Sequence, residues 1–309
     1  NTLNCYLVAS TAYLGIGRPD DAEALLEQAQ RRNIGGAGLF VELARSAILR
    51  GDNAERARLE ELGKRSPEGE LRVLDLEATH AAARGRIQEM RELRRRAFEK
   101  SRQLNMADNA ATLLLDEATT ECDVGFVSEA VKKVDSALAL SRDPFLLLRA
   151  AEILAAAGQE KKAEALMTEG RKPRPYDTLV QSLIVPRIEA RLQVQRGKPA
   201  AAVQTLAAAQ PYENGFWFST HVIRGNAYLS SGSLANAEQE FKRFLSRGTS
   251  KPFDYQYALA QLGLARALAA QQNAPGARTA YQDFFALWKD ADPDIPLLQQ
   301  AKAEYARLH

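Results

Sequence analysis

Residues 190–202 read ARLQVQRGKPAAA. A small residue, Ala190, stands seven positions before Gly197, and another, Ala202, stands five positions after it. Glycine fits the end of a helix because it takes the left-handed backbone at least cost. The stretch therefore predicts two helices joined by a tight turn. Where two antiparallel helices cross, only a small side chain lets the backbones approach within about 8–10 Å. Ala190 suits such a crossing.

The same frame recurs along the chain. Turn glycines stand at Gly17, Gly51, Gly85, Gly125, Gly158, Gly197 and Gly232, at intervals of 34, 34, 40, 33, 39 and 35 residues. Seven positions before them come Ser10, Ala44, Ala78, Ala118, Ala151, Ala190 and Gly225, all small. Five positions after them come Ala22, Ala130, Ala163, Ala202 and Ala237, while Arg56 and Met90 break the rule in the second and third units. A 34-residue period is that of the tetratricopeptide helix–turn–helix unit. An eighth unit runs from about Asp254 to Trp288, with Gly263 at the crossing and Ala277, Tyr281 and Phe285 on its second helix. Gln272 or Asn273 replaces its turn glycine. A last helix, Ile295 to Leu308, has a polar face (Gln299, Lys302, Glu304, Arg307) suited to a terminal cap. The predicted fold is all-α: a right-handed superhelical solenoid of about eight repeats with a C-terminal capping helix.

Lys172-Pro173-Arg174-Pro175 interrupts the array, because two prolines in four residues forbid continuous helix. Residues 1–171, with five degenerate repeats, and 172–309, with repeats six to eight and the cap, read as two halves. One continuous solenoid with a long loop is the alternative. Pro186 either kinks the next helix or starts it late.

Composition narrows the function. Charged residues make up 26% of 309 and nearly balance, for a net charge of +2, so no global attraction to nucleic acid or anionic lipid is expected. Cys5 and Cys122 form no disulfide framework or zinc spacing. No run of 18 apolar residues exists, so no membrane insertion by these residues is expected. The chain opens at Asn1 without a signal-like stretch and reads as a processed product or an excised piece.

No catalytic constellation stands out, and neither enzyme activity, a cofactor nor a metal is expected. His80, His221 and His309 lack metal-ligand spacing. Ser219 lies two positions from His221, but no nucleophile-elbow sequence accompanies the pair. Residues 33–38, NIGGAG, lack the lysine and hydroxyl of a phosphate loop and read as a link between units. Residues 84–102 hold eight basic side chains against three acids, with Arg91, Arg94, Arg95 and Arg102 near one helical face. No aromatic platform is interleaved there, which argues against nucleic acid.

The expected partner is a protein or an extended peptide, seated on the first helices of the units. Counting back from each turn places Phe145, Arg149 and Glu152 inward in the fifth unit, and Arg187 and Arg191 in the sixth. Ser219, Ile223, Asn226 and Ser230 do so in the seventh, and Tyr257, Gln261 and Leu264 in the eighth. Amide, cation and aromatic groups in this mixture suit the backbone of an extended peptide. Asn226 follows Gly225 as an amide does in peptide-binding tetratricopeptide domains, but the further Asn and Lys residues of a carboxylate clamp are missing. Trp217 and Trp288 read as packing residues.

The second half carries a more specific likeness. Its residues are 177–179 (DTL), 186–188 (PRI), 196–202 (RGKPAAA), 225–229 (GNAYL), 263–267 (GLARA) and, above all, 281–296, YQDFFALWKDADPDIP. These resemble the C-terminal tetratricopeptide region of bacterial eukaryotic-like serine/threonine protein kinases. Some winged-helix transcriptional regulators carry a similar region. The resemblance covers residues 176–309 and is looser before. In that family the kinase or DNA-binding domain is N-terminal, often followed by a membrane helix. No kinase Gly-rich loop, HRD or DFG motif occurs here. The resemblance implies the sensory or docking module of a signalling protein, or else the effector domain of a transcriptional regulator that binds a small ligand or nucleic acid.

Overall fold

The computed structural model describes residues 2–213, 219–246 and 253–308. The run Gly215-Phe216-Trp217-Phe218 lies outside the described residues. Among those described there are seventeen α-helices and no strand. The first sixteen form eight antiparallel pairs. These are α1 (Thr2–Gly15) with α2 (Pro19–Arg31), α3 (Ala37–Arg50) with α4 (Asn53–Gly63), α5 (Pro67–Ala83) with α6 (Ile87–Gln103), and α7 (Ala107–Val124) with α8 (Val127–Leu140). There follow α9 (Pro144–Ala156) with α10 (Glu160–Arg171), α11 (Val185–Gln195) with α12 (Pro199–Leu206), α13 (Thr220–Ser230) with α14 (Leu234–Leu245), and α15 (Gln256–Ala270) with α16 (Ala274–Leu287). The last helix, α17, is Pro296–Tyr305.

Steric fit at the crossings builds the pairs. Ser10, Ala44, Ala78, Ala118, Ala151 and Ala190 are all buried. So are the partner positions Ala22, Ala130, Ala163, Ala202 and Ala237. Gly225 and Gly263 flank Phe241 of α14, and a Cβ on Gly225 would lie 2.7 Å from its ring. A flat, fully buried ring wedged at backbone level admits nothing larger than glycine on either side. Met90 fills its unit's position as a buried apolar residue, whereas Arg56 turns to Glu60 at 2.6 Å. At the eighth turn Gln272 takes the left-handed backbone, with φ 63°.

Pro186 is the second residue of α11 and does not delay the helix, whose backbone stays helical from Ile184 into Val185. A π-helical turn, Val180–Ile184, precedes it and widens the backbone where the proline cannot donate. One apolar cluster runs from Ala111 to Leu192, with Leu166 and Met167 before the Pro173–Pro175 linker and Val180 and Ile188 after it.

The chain then turns back on itself. The largest apolar cluster unites Leu74, Ile87 and Val124 with Phe284, Trp288, Ile295 and Leu298, residues far apart in sequence. Trp288 packs on Phe284 with ring centroids 5.1 Å apart and donates its indole N–H to the Ala83 carbonyl at 3.2 Å. It therefore packs against the third unit, not only against the cap. The Asp292 N–H donates to the Gly85 carbonyl at 3.1 Å, and the Asp292 carboxylate accepts from the Gln88 N–H at 2.7 Å. Helix α17 lies against α16 and α7, with Leu298 and Ala301 buried. The expected cap thus bridges to the fourth unit. The eighth unit and α17 close the superhelix onto units three and four.

Candidate functional site

Successive first helices, joined by Arg94 from a second helix, carry a row of ionised side chains across the inner face. On α7, Asp116 pairs with Arg149 of α9 and, at 3.3 Å, with Arg94 of α6, which also pairs with Asp75 of α5. Glu152 of α9 accepts from Arg187 of α11 at 2.7 Å and from Arg191 at 3.4 Å. Arg191 stands 3.7 Å from Asp123 of α7. Arg187 also donates to the Ser219 hydroxyl at 2.9 Å and to that of Thr220 at 3.2 Å. Cations and anions alternate, so each buried charge meets an opposite one and its desolvation is offset. Burial alone would raise the Glu152 carboxyl, but Arg187 and Arg191 outweigh it and hold the group below the usual carboxylate range. Burial likewise opposes the charge on Asp116, and Arg149 and Arg94 keep it ionised. Arg191 is lifted above its ordinary value by Asp123 and Glu152 against the effect of burial.

A cavity of about 210 Å³ opens among these groups. Five of the residues expected to face a partner line it together: Arg149, Glu152, Arg187, Arg191 and Ser219. Thr119, Cys122 and Asp123 of α7 and Ile153 and Ala156 of α9 complete the wall, with Gln256 from the start of α15. A second cavity, of about 310 Å³, carries the inner face on through α3, α5 and α7, past Arg45, Arg72, Asp75 and Asp116.

The other expected residues lie elsewhere. Phe145 is exposed at the start of α9, with the Arg174 guanidinium stacked 4.0 Å from its ring centre. Ile223 does not face the groove. It is buried with Ala190, Ala202, Leu206 and Ala227, because the close crossing of α13 with its neighbours takes that face. Asn226 and Ser230 are exposed on α13 and line neither cavity. Tyr257 and Gln261 line a separate opening of about 760 Å³ between the eighth unit and the turns of units two and three. The Tyr257 hydroxyl lies 3.1 Å from the Leu245 carbonyl, and Gln261 donates to Asp283 at 3.2 Å.

Six of the eight basic residues in stretch 84–102 form ion pairs. Arg91 meets Glu121 at 2.6 Å and stacks on Phe126, Lys100 meets Glu70, and Arg95 meets Glu92 at 2.7 Å. Arg94 and Arg95 do not share a face: Arg94 is buried on the inner row, and the Arg95 side chain is 55% exposed. His221 is buried, with Nδ1 2.6 Å from Glu240, while Ser219 accepts from Arg187. Burial pushes the Cys122 thiol up to about 11, which leaves it a poor nucleophile at neutral pH. Among the described residues no group of three His, Cys, Asp or Glu side chains could hold a metal ion. None of the described helices is long and apolar enough to cross a membrane.

Asp116, Thr119 and Asp123 are not among the expected residues, which all lie in the fifth to eighth units. For Thr119 the signal is periodic. Thr119, Glu152, Arg191 and Asn226 all stand six positions before a turn glycine. Gln256 carried no such signal, since it reaches the cavity through the closure of the superhelix.

The pairs, their small-residue crossings and the inner row make this a solenoid of repeats. Residues 224–293 match the tetratricopeptide repeat. The chain folds as a tetratricopeptide-like solenoid, and two solved structures resemble it. Yeast Tom70 is 17% identical, aligned over 94% of this chain and 58% of its own, with a TM-score of 0.46. The P58(IPK) TPR domain is 11% identical, aligned over all of this chain and 98% of its own, with a TM-score of 0.34. This chain thus spans little more than half the length of Tom70. No curated protein matches the sequence.

Proposed function

We propose that this chain is a docking scaffold that holds an extended peptide segment of a protein partner on the inner face, beside Arg149, Glu152, Arg187 and Arg191. The observation that carries this reading is the alternation of donors and acceptors around the 210 Å³ cavity. An extended backbone offers one N–H and one carbonyl per residue. Guanidinium and carboxylate groups placed side by side answer both. The cavity is smaller than the roughly 300–1,000 Å³ of typical small-molecule sites and fits one side chain of such a peptide. Ion pairs engage six of the eight basic residues of stretch 84–102, which weakens any pull on nucleic acid.

The wider setting we propose is bacterial signalling. The likeness of residues 176–309 to the C-terminal region of serine/threonine kinases supports a docking or sensory role, with catalysis on another domain. The chain itself is then no enzyme.

A steric plug tests the docking site. Ala156 is half-buried on the cavity wall, and Ala156→Trp fills the space without deleting an ion pair. On an array of extended peptides, sequences that bind the wild-type chain should lose at least about tenfold in affinity, or 1.4 kcal/mol, for the plugged variant. Unchanged binding by a variant of unchanged helical circular dichroism would remove the site from the inner face.

A further inference from the structure

The inner face already holds a piece of chain. Phe253 lies against units two and three, its ring 4.9 Å from the Arg45 guanidinium and 6.3 Å from the His80 ring. It also packs on the apolar cluster of the first three units. Two residues on, the Tyr255 hydroxyl donates to Asp123 at 2.8 Å. Asp123 lines the 210 Å³ cavity, and Arg45 lines the 310 Å³ one. Asp254, between the two aromatics, turns back to accept from the Gln256 N–H at 2.9 Å and so starts α15. The segment Phe253-Asp254-Tyr255 thus bridges the two cavities that make up the inner face.

Each seat has a recognisable chemistry. The first is a cation–π seat, in which a guanidinium lies over an aromatic face and an imidazole stands beside it. The second is a hydrogen-bonding seat, in which the carboxylate of Asp123 accepts from a phenol while Arg149 and Arg191 supply positive charge nearby. Two aromatic side chains one residue apart, the second with a hydroxyl, fit both.

From this we infer that Phe253-Asp254-Tyr255 is an internal ligand, and that the partner carries an aromatic–acid–tyrosine segment that takes the same two seats. The inference rests on the docking reading above and names the partner's chemistry. A tethered segment competes at an effective concentration of about millimolar, so only a partner that also gains contacts along the arginine–carboxylate row displaces it. The closed superhelix is then the unliganded state.

The test supplies the segment in trans. The probe is a fluorescein-labelled peptide of residues 253–261, FDYQYALAQ, read by anisotropy. The receptor is either the wild-type chain or the Phe253→Ala/Tyr255→Ala variant, whose seats are empty. The emptied variant should bind the peptide at least about tenfold more tightly than wild type, because its own segment no longer competes. A peptide with alanine at the positions of Phe253 and Tyr255 should bind neither chain, and Arg45→Ala in the emptied background should cut binding. An emptied variant that keeps its helical circular dichroism yet binds no better than wild type overturns the inference. Should the double variant lose its helix, Phe253→Ala alone takes its place, and binding equal to wild type is again fatal. The two readings fail separately. If the emptied chain ignores the peptide while wild type still binds array peptides that Ala156→Trp blocks, only the internal ligand is wrong. If no chain binds any peptide, both are.

Discussion

The superhelix contains two kinds of joint. Neighbouring units, each closed by a small-residue crossing, meet through first helices that stack in sequence, as α9 does on α11, with buried pairs such as Glu152 with Arg187 between them. The closing joint, between the eighth unit and units three and four, is made differently. The Asp292 N–H donates to the Gly85 carbonyl, the Gln88 N–H to the Asp292 carboxylate and the Trp288 indole to the Ala83 carbonyl, and Arg84 pairs with Asp290. The first kind is dry, periodic and short-range in sequence. The second is polar at its rim and links residues about 130 to 205 positions apart. Stacked joints set the fold, and the closing joint sets which parts of the inner face are open. A region that must yield to a partner belongs at the less stable end of a protein's range of local stabilities.

The largest effect should come from breaking a stacked joint. Glu152→Ala leaves Arg187 and Arg191 without their shared acceptor on a buried face. Removing one partner of such a group costs about 3–5 kcal/mol. Thermal melting followed by circular dichroism should fall by several degrees or more. A drop no larger than that of an exposed pair would mean that water reaches the row and that the two joints are alike.

Next comes a pair of glycines that separates the two joints. Gly51 and Gly85 both have φ 72°, and both end the first helix of a unit. A Cβ on Gly51 would meet open space, whereas one on Gly85 would lie 2.6 Å from Ala291 and 3.1 Å from Trp288. Gly51→Ala should therefore cost only the left-handed backbone term, about 1–2 kcal/mol. Gly85→Ala should cost that and a further 1–3 kcal/mol or so of overpacking. Amide exchange should rise in residues 284–298 for Gly85→Ala alone. Equal costs would show that the closing joint contributes nothing to stability.

How far the sequence reveals these joints follows from their range. The crossing residues Ala118, Ala151 and Ala190 recur at a fixed offset because each unit solves the same local steric problem. Arg149, Glu152, Arg187 and Arg191 are legible for the same reason. Ile223 is not, since a helix buried on several sides offers no simple inward stripe. Nothing periodic marks Gly85 or Gly125 as contact points for Ala291 and Pro296. Both already have a sufficient local reason to be glycine, which hides the distant one. Tyr255 and Asp123 likewise lie in different units and at unrelated offsets.

The pH response should be smaller and confined to the closing joint. Burial, with Asp123 nearby, raises Asp254 from its ordinary 3.8 to about 6, against the Gln256 N–H, which favours the charged form. The proton is thus held more tightly in the folded state. The contribution is complete below about pH 3.8 and is lost as pH rises through about 6. Between pH 5 and pH 7 the loss should be about 1 kcal/mol. Asp254→Asn should flatten that part of the melting profile, and an unchanged profile would place the titration elsewhere.

The smallest effect sharpens the comparison from the other side. Arg84 and Asp290 meet at 2.9 Å with side chains 43% and 50% exposed. Such a pair is screened by water and salt and is worth less than about 1 kcal/mol. Arg84→Ala should therefore barely move the melting temperature, and the small change should vanish in 0.5 M salt. The Trp288 and Asp292 hydrogen bonds lie beside the pair and stay in place, so the joint should remain shut. A large loss from Arg84→Ala would mean that the rim pair, not the buried indole, holds the superhelix closed. The internal ligand would then be released by charge alone, without competition from a partner.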